Sequence, residues 1–186
     1  MTMQTTQPLE HVTLSQTHRP IEWFTILDER GESGLDMDQP YQRGDVWGIK
    51  RRRNLMRSFM LGVPIPAVVV NHRMGAKFRG PGYDQDRNWA YAVVDGKQRV
   101  TTILMWFRDE FALPSSWFPA NLVDTTIDTP DGPYVHFTGL TRSGQRRWMN
   151  YGIPVVEARV SSLAAEQAIF DLINYGGVAQ GEADDD

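Results

Sequence analysis

Four segments of the chain are helix candidates, and two of them carry apolar residues at helical spacing. Residues 97–107 carry apolar side chains at positions i, i+3, i+4 and i+7 counted from Val100, which is the stripe of a core-facing helix. In residues 47–62 five apolar residues share one arc, most of the charged residues lie opposite, and Gly62 is a stop signal. Residues 141–149 and 161–173 are two further helix candidates, the second with a serine able to cap its start.

The remaining segments are shorter, and their patterns favour strands or loops. Residues 67–71 are a β-branched run that predicts a strand, and residues 89–94 and 154–160 are two further strand candidates. Residues 21–27 are apolar and fit either a small helix or a strand. Because residues 112–133 are punctuated by proline, we expect a loop there. The pattern predicts one α+β domain with a small mixed sheet flanked by helices.

Residues 1–20 are polar and rich in Thr and Gln, so we interpret them as a flexible arm before a domain at 21–180. Residues 181–186 form an acidic tail that supplies the whole formal charge of -4, which leaves residues 1–181 neutral. We find neither a signal peptide nor an apolar run of the ~20 residues that span a bilayer. We therefore expect a soluble cytoplasmic protein with no membrane partner.

Two residue counts exclude whole classes of chemistry. The chain has no cysteine, which rules out disulfides, thiolate metal sites and a cysteine nucleophile. Its 4 histidines are scattered and form no recognised metal-binding pair.

A strand followed at once by a helix gives the clearest chemical signal, at residues 91–102. A turn at Gly96 lets a ligand approach the backbone, and the free N–H groups at the helix start favour a phosphate. Residues 97–99 (Lys-Gln-Arg) supply further donors, while Asp95 could bind Mg²⁺ or accept a proton. Alternatively, Asp95 is only the N-cap and Arg99 only a solvated charge of the first turn. The segment is neither a Walker loop nor a Rossmann fingerprint.

Four motifs in order resemble the N-terminal domain of the GmrSD-type, modification-dependent restriction enzymes, the domain with a D-G-Q-Q-R signature. The resemblance covers about residues 21–180. The motifs are Tyr-Gln-Arg-Gly-Asp-Val-Trp at 41–47, Gly-Val-Pro-Ile-Pro at 62–66, Asp-Gly-Lys-Gln-Arg at 95–99, and Phe-Asp-Leu-Ile-Asn at 170–174 followed by Gly176-Gly177. Lys97 departs from the signature, because the family usually has Gln there, and adds a cation to the site.

The resemblance implies a fold related to ParB and sulfiredoxin, with a site for a nucleoside triphosphate and Mg²⁺. Asp95 would bind the metal and would be catalytic together with Arg99 and Arg43. The nucleotide-binding candidates are Gln42, Arg43, Gly96, Lys97, Gln98, Arg99, Thr101 and Asn174.

Three functions remain open at this point. The resemblance favours a Mg²⁺-dependent NTPase that acts on or in response to DNA, in a restriction system or in phage–host DNA modification. A DNA kinase that phosphorylates a hydroxyl on a modified base is an alternative. A non-catalytic module that binds DNA, or a restriction-system or phage protein, is another. Because the sequence ends at Asp186 without the His-containing nuclease domain of these enzymes, we do not expect the chain to cut DNA alone.

The helix predicted at 47–62 also carries a basic cluster. Five cations fall within eight residues, which predicts contacts to a nucleic-acid backbone, although a charged run is often only a solvated helix face. The nucleic-acid-binding candidates are Lys50, Arg51, Arg52, Arg53 and Arg57. Arg52 falls inside the apolar arc, where it is either a snorkelling side chain or part of a site that neutralises phosphoryl charge.

Overall fold

The structure is a computed structural model that describes residues 11–31, 34–42, 44–74, 78 and 89–175. The α-helices in these ranges are α1 (Glu22–Glu29), α2 (Ile49–Leu61), α3 (Lys97–Phe107), α4 (Arg142–Met149) and α5 (Leu163–Tyr175). The strands are β1 (Leu14–Pro20), β2 (Leu35–Asp36), β3 (Val68–His72), β4 (Tyr91–Asp95), β5 (Leu113–Pro114), β6 (Ile127–Thr129), β7 (Gly132–Val135) and β8 (Gly152–Ala158).

The main sheet has five strands in the order β1-β8-β3-β4-β2. It is mixed, because β3 runs parallel to β8 and β2 runs parallel to β4, whereas β1–β8 and β3–β4 are antiparallel. This arrangement confirms the predicted α+β class. The likeness to ParB and sulfiredoxin stays a prediction.

Side chains that alternate along the central strands build a hydrophobic cluster on each face of the sheet. Val68 and Val70 of β3 belong to the larger cluster, which includes apolar residues of α1, α2, α3 and α4. Val69 lies in the smaller cluster with Val94 and Ala158, where α5 contributes Ile169. Since successive residues of a strand point to opposite faces, one run of valines serves both layers.

The helices begin and end at the signals present in the sequence. Gly62 ends α2 in the left-handed conformation with φ of 67°. Thr141 caps α4 by accepting a hydrogen bond from the backbone N–H of Gly144 at 3.3 Å. Ser162 accepts from the N–H of Ala165 at 3.2 Å at the start of α5. Within the described ranges, no helix combines the length and the apolar character needed to cross a membrane.

The interpretation of residues 1–20 as a flexible arm is wrong for Leu14–Pro20. This segment forms β1, which pairs with β8 along its whole length, from Leu14 opposite Ala158 to Pro20 opposite Gly152. Most of its side chains are exposed, so backbone hydrogen bonds at the sheet edge hold it without an apolar pattern. Residues 1–10 and the acidic tail lie outside the described residues.

Residues 112–133 are also more ordered in structure than their prolines indicate. They include β5, β6 and the start of β7, which form a three-stranded sheet in the order β5-β7-β6. These strands are two to four residues long, too short for an alternating pattern to be visible in the sequence.

Residues 21–27, for which the sequence allowed either a helix or a strand, belong largely to helix α1, which buries Phe24 and Leu27.

Candidate functional site

A cleft of about 410 Å³ opens where β4 ends at Asp95 and α3 begins at Lys97. The structure brings together in its lining seven residues that the sequence assigned to a nucleotide site. These are Gln42, Asp95, Gly96, Lys97, Gln98, Arg99 and Asn174. Four further residues complete the described lining, namely Val46, Trp47, Arg51 and Phe170.

Gly96 determines the shape of the cleft floor. Its φ is +94°, and a Cβ added there would lie 2.9 Å from Nη2 of Arg99 and 3.2 Å from Cγ2 of Val68. Gly96 is itself the N-cap of α3, with no side-chain cap, so Asp95 does not cap the helix. The first backbone bonds of the helix run from the N–H groups of Arg99 and Val100 to the Gly96 carbonyl. The N–H groups of Lys97 and Gln98 therefore have no partner within the helix and can bind an anion.

Arg99 is not a solvated charge, because its half-buried side chain connects the end of β4 to the residue that precedes β3. Its Nη2 donates to Oδ2 of Asp95 at 2.7 Å and to the carbonyl of Ala67 at 3.1 Å. Its side chain is only 14% exposed. The Nε of Arg99 is buried without a hydrogen-bond partner among the described residues. Arg99 thus fixes the carboxylate of Asp95 and keeps a buried donor beside the Gly96 turn.

Gln42 offers the cleft a fixed acceptor. Its Nε2 donates to the carbonyls of Val93 and Val94 at 2.7 and 2.8 Å, at the end of β4. These two bonds determine which end of the amide faces the strand. The Oε1 atom at the other end is buried and has no partner in the part of the chain that the structure describes. A ligand that brings an N–H or O–H group would satisfy this oxygen.

The side chains of Lys97 and Gln98 already have protein partners. The amide of Gln98 donates to the carbonyl of Gly44 at 3.0 Å and accepts from the N–H of Val46 at 3.4 Å. Gln98 therefore holds the loop before α2, which differs from its expected role as a phosphate donor. Lys97 pairs with Asp38 at 2.8 Å, and because Asp38 is 91% exposed this pair is weak and exchangeable.

The remaining predicted positions, and Asn174 within the lining, have different outcomes. Asn174 lies at the exposed rim of the cleft, where its Nδ2 donates to the carbonyl of Phe170 at 2.8 Å. Thr101 lies one turn into α3 and does not line the cleft, contrary to its assignment. Arg43 and Gly176-Gly177 lie outside the described residues.

The described lining combines positive charge with aromatic surface. Arg51, Lys97 and Arg99 oppose the single carboxylate of Asp95. The guanidinium of Arg51 lies 4.5 Å from the ring centre of Trp47. Among the described residues no group of three or more metal-binding side chains exists, so Asp95 would be the protein's ligand to a cation in this cleft. Such a site fits an anionic ligand that also carries a planar group.

A family model described as the GmrSD restriction endonuclease N-terminal domain matches residues 24–184. The chain belongs to this family. Comparison with curated proteins and with solved structures gives no significant match. Membership of this family relates the function of the chain to restriction systems. DNA is therefore the expected class of partner.

Sequence reasoning missed a buried polar cluster that supports the cleft of the GmrSD N-terminal domain. Glu166 of α5 is fully buried and accepts from Nε and Nη2 of Arg73, at 2.8 and 2.6 Å, and from Nδ2 of Asn71 at 2.7 Å. Arg73 also pairs with Asp36 at 2.6 Å. Tyr41, which precedes Gln42, donates its hydroxyl to Glu166 at 3.3 Å. The cluster therefore anchors α5 and the segment that carries Gln42 to the same sheet.

The cluster changes the protonation chemistry of two of its members. Burial and the nearby charge of Glu166 raise the pKa of the Tyr41 hydroxyl well above its usual range. Burial on its own lowers the pKa of Arg73, but the hydrogen bonds and charges of Glu166 and Asp36 raise it overall. One signal was present in the sequence, since Glu166 lies three residues from Leu163 and from Ile169 and so falls on the apolar side of α5.

The basic cluster of α2 is divided among three faces of the helix. Arg52 is 3% exposed, and its guanidinium pairs with Asp45 at 2.5 Å and donates to Oγ1 of Thr102 at 3.0 Å. Its assignment to a nucleic-acid surface is therefore wrong, and it does not snorkel to solvent. Arg51 faces the cleft at Gly96. The other three cations, Lys50, Arg53 and Arg57, lie away from that cleft.

Proposed function

We propose that the cleft at Gly96 binds a nucleoside triphosphate together with Mg²⁺, and that the domain hydrolyses it when acting on or responding to DNA. The observation that carries this proposal is the uncapped start of α3 at a glycine with φ of +94°. Two backbone N–H groups that have no partner within the helix meet three cationic side chains there. Helix starts of this kind favour phosphate because the backbone donors and the helix dipole act together.

The described side chains divide the work of binding. Lys97 can exchange its exposed partner Asp38 for phosphate oxygens, and Arg51 adds a second positive charge from α2. Trp47 and Phe170 offer aromatic surface to a base or sugar. The buried Oε1 of Gln42 accepts a hydrogen bond from a donor on the ligand.

Asp95 is the residue proposed to hold the metal. Mg²⁺ commonly binds through one or two carboxylates and fills its other positions with phosphate oxygens and water. One carboxylate in the lining is therefore enough, and Mg²⁺, when bound, would neutralise phosphate charge. Arg99 acts as a positioning residue in this scheme, since it fixes Oδ2 of Asp95 at 2.7 Å. Arg43 remains a proposed catalytic cation.

The test is isothermal titration calorimetry with ATP, GTP, CTP and dTTP, each with Mg²⁺. Arg51→Gln should weaken binding about 10-fold, the equivalent of ~1.4 kcal/mol for one charge-assisted contact. Lys50→Gln is the matched control, because it removes one positive charge from the adjacent residue of α2. It should leave the nucleotide affinity unchanged, since Lys50 lines the other depression. Asp95→Asn should abolish the Mg²⁺-dependent part of the affinity. Absence of binding by all four nucleotides would contradict the proposal.

Product analysis then separates the candidate reactions. Free phosphate released in the presence of DNA supports an NTPase, whereas label transferred to DNA containing a hydroxylated modified base supports a DNA kinase. Nucleotide binding without either product would identify a binding module.

A further inference from the structure

α2 borders a second surface, on the side away from the nucleotide cleft. At 3.6 residues per turn, the positions Ile49, Lys50, Arg53, Asn54, Arg57, Met60 and Leu61 fall within an arc of about 140°. Two depressions adjoin this arc, one near each end of the helix, and Trp117 lines both of them. We call this surface the α2–Trp117 face.

The depression near the start of α2 is basic. Its volume is about 460 Å³, and Lys50 and Arg53 contribute to its lining. The guanidinium of Arg53 lies 4.8 Å from the ring centre of Tyr134. The one acidic residue in the described lining, Asp131, accepts a hydrogen bond from the Tyr134 hydroxyl at 2.5 Å. Between the two depressions, the guanidinium of Arg57 lies 6.0 Å from the ring centre of Trp117.

The depression near the end of α2 is aromatic. Its volume is about 150 Å³, which equals roughly five water molecules at ~30 Å³ each and is comparable to one planar base. Buried Phe118 and Trp148 and the half-buried rings of Trp117 and Tyr151 contribute to it. Arg147 is exposed in the lining, which contains no acidic residue among those described.

We infer that the α2–Trp117 face binds a DNA strand, with one unstacked base in the aromatic depression. Exposed Lys50, Arg57 and Arg147 carry the charge that phosphates require. Aromatic side chains bind bases of any sequence by stacking, because every base has a flat face. The inference rests on the DNA part of the proposed function and is independent of nucleotide binding.

α2 contributes cations to both the nucleotide cleft and the α2–Trp117 face. Arg51 faces the nucleotide cleft, buried Arg52 attaches the helix to α3 through Thr102, and Arg57 faces the second surface. One helix thus presents cations to two separate anionic ligands. A single basic sequence run serves both surfaces because successive residues of a helix point about 100° apart.

The test measures DNA binding by fluorescence anisotropy without nucleotide, using a 12-nucleotide oligothymidylate and an abasic strand of equal length. Trp117→Ala should weaken binding to the oligothymidylate about 5- to 150-fold and leave binding to the abasic strand unchanged. Trp117→Phe should restore most of the affinity, because phenylalanine keeps a stacking face.

Arg147→Gln supplies a second measurement that does not touch an aromatic residue. It should weaken binding to both strands and reduce the slope of log K against log salt by about 0.7 for one lost phosphate contact. Arg146→Gln is the matched control, since this exposed neighbour on α4 lies outside the described lining of both depressions.

Three results would overturn the inference. They are an unchanged affinity of Trp117→Ala for the oligothymidylate when circular dichroism shows it folded, equal losses in Arg146→Gln and Arg147→Gln, and absence of binding by the unmodified chain. If Trp117→Ala does not fold, the comparison of Arg146 with Arg147 decides alone. Failure of the nucleotide proposal would appear in calorimetry and leave these DNA measurements unaffected.

Discussion

Replacing Glu166 with alanine tests whether the buried polar cluster holds α5 and the Gln42 segment in place. The carboxylate is fully buried and accepts three hydrogen bonds of 2.6 to 2.8 Å, two from Arg73 and one from Asn71. Alanine removes all three acceptor contacts and the bond from the Tyr41 hydroxyl. Arg73 keeps its pair with Asp36 at 2.6 Å, so its charge stays partly compensated.

The expected loss in free energy of unfolding follows from these contacts. Hydrogen bonds to charged groups contribute about 1.5–3 kcal/mol each to stability. Part of the loss in the variant is offset, because the variant no longer has a carboxylate to desolvate on folding. Breaking a buried ion pair costs about 3–5 kcal/mol, and the retained Asp36 pair favours the lower end of that range. We expect Glu166→Ala to lose about 3 kcal/mol, which corresponds to about 6–12 °C in Tm for a chain of this size.

Urea unfolding followed by tryptophan fluorescence measures this loss. Glu110→Ala is the control, because its carboxylate is 43% exposed and lies 3.9 Å from Arg108, so it should lose less than about 0.5 kcal/mol. A loss below about 1 kcal/mol for Glu166→Ala would refute the reasoning, since the cluster would then not stabilise the fold.

The remaining predictions concern backbone, charge and pH. Gly96→Ala should lose about 2 kcal/mol or more of unfolding free energy in urea, and Gly62→Ala only about 1 kcal/mol. Both glycines have a positive φ, but only at Gly96 would the new Cβ come within 3.2 Å of neighbouring side-chain atoms. Equal losses would contradict the steric argument. In the same assay Arg52→Gln should lose about 2–3 kcal/mol of unfolding free energy and Lys50→Gln less than about 0.5 kcal/mol, because only Arg52 is buried and paired. Similar losses would contradict the structural role of Arg52. Burial raises the pKa of Tyr41, so the unfolded chain releases this proton at lower pH than the folded one, and stability should fall as pH rises above about 10. Tyr41→Phe should show a shallower fall between pH 9 and pH 11, and identical slopes would contradict the shift.

Local sequence patterns predicted the secondary structure wherever the signal lies within one element. The apolar stripe and the Gly62 stop of α2 are both present in the structure, as is α3, whose stripe begins at Val100. Asp95 and Gly96 were identified because a strand, a glycine and a helix follow one another directly. The sequence did not predict short or edge strands, because β1 is held by backbone pairing and β5 has only two residues.

The sequence by itself determined the α+β class, the family and the strand–glycine–helix turn, since each depends on neighbouring residues. Tertiary structure alone decided which polar groups meet. Glu166 and Arg73 are 93 residues apart, and Gln42 reaches the end of β4 across 51 residues, so no spacing rule connects them. It also decided which cations of α2 are available, because Arg52 is buried whereas Lys50, Arg51 and Arg57 are exposed. The physical reason is that a periodic pattern places a side chain on one face of its element, whereas its partner depends on what packs against that face.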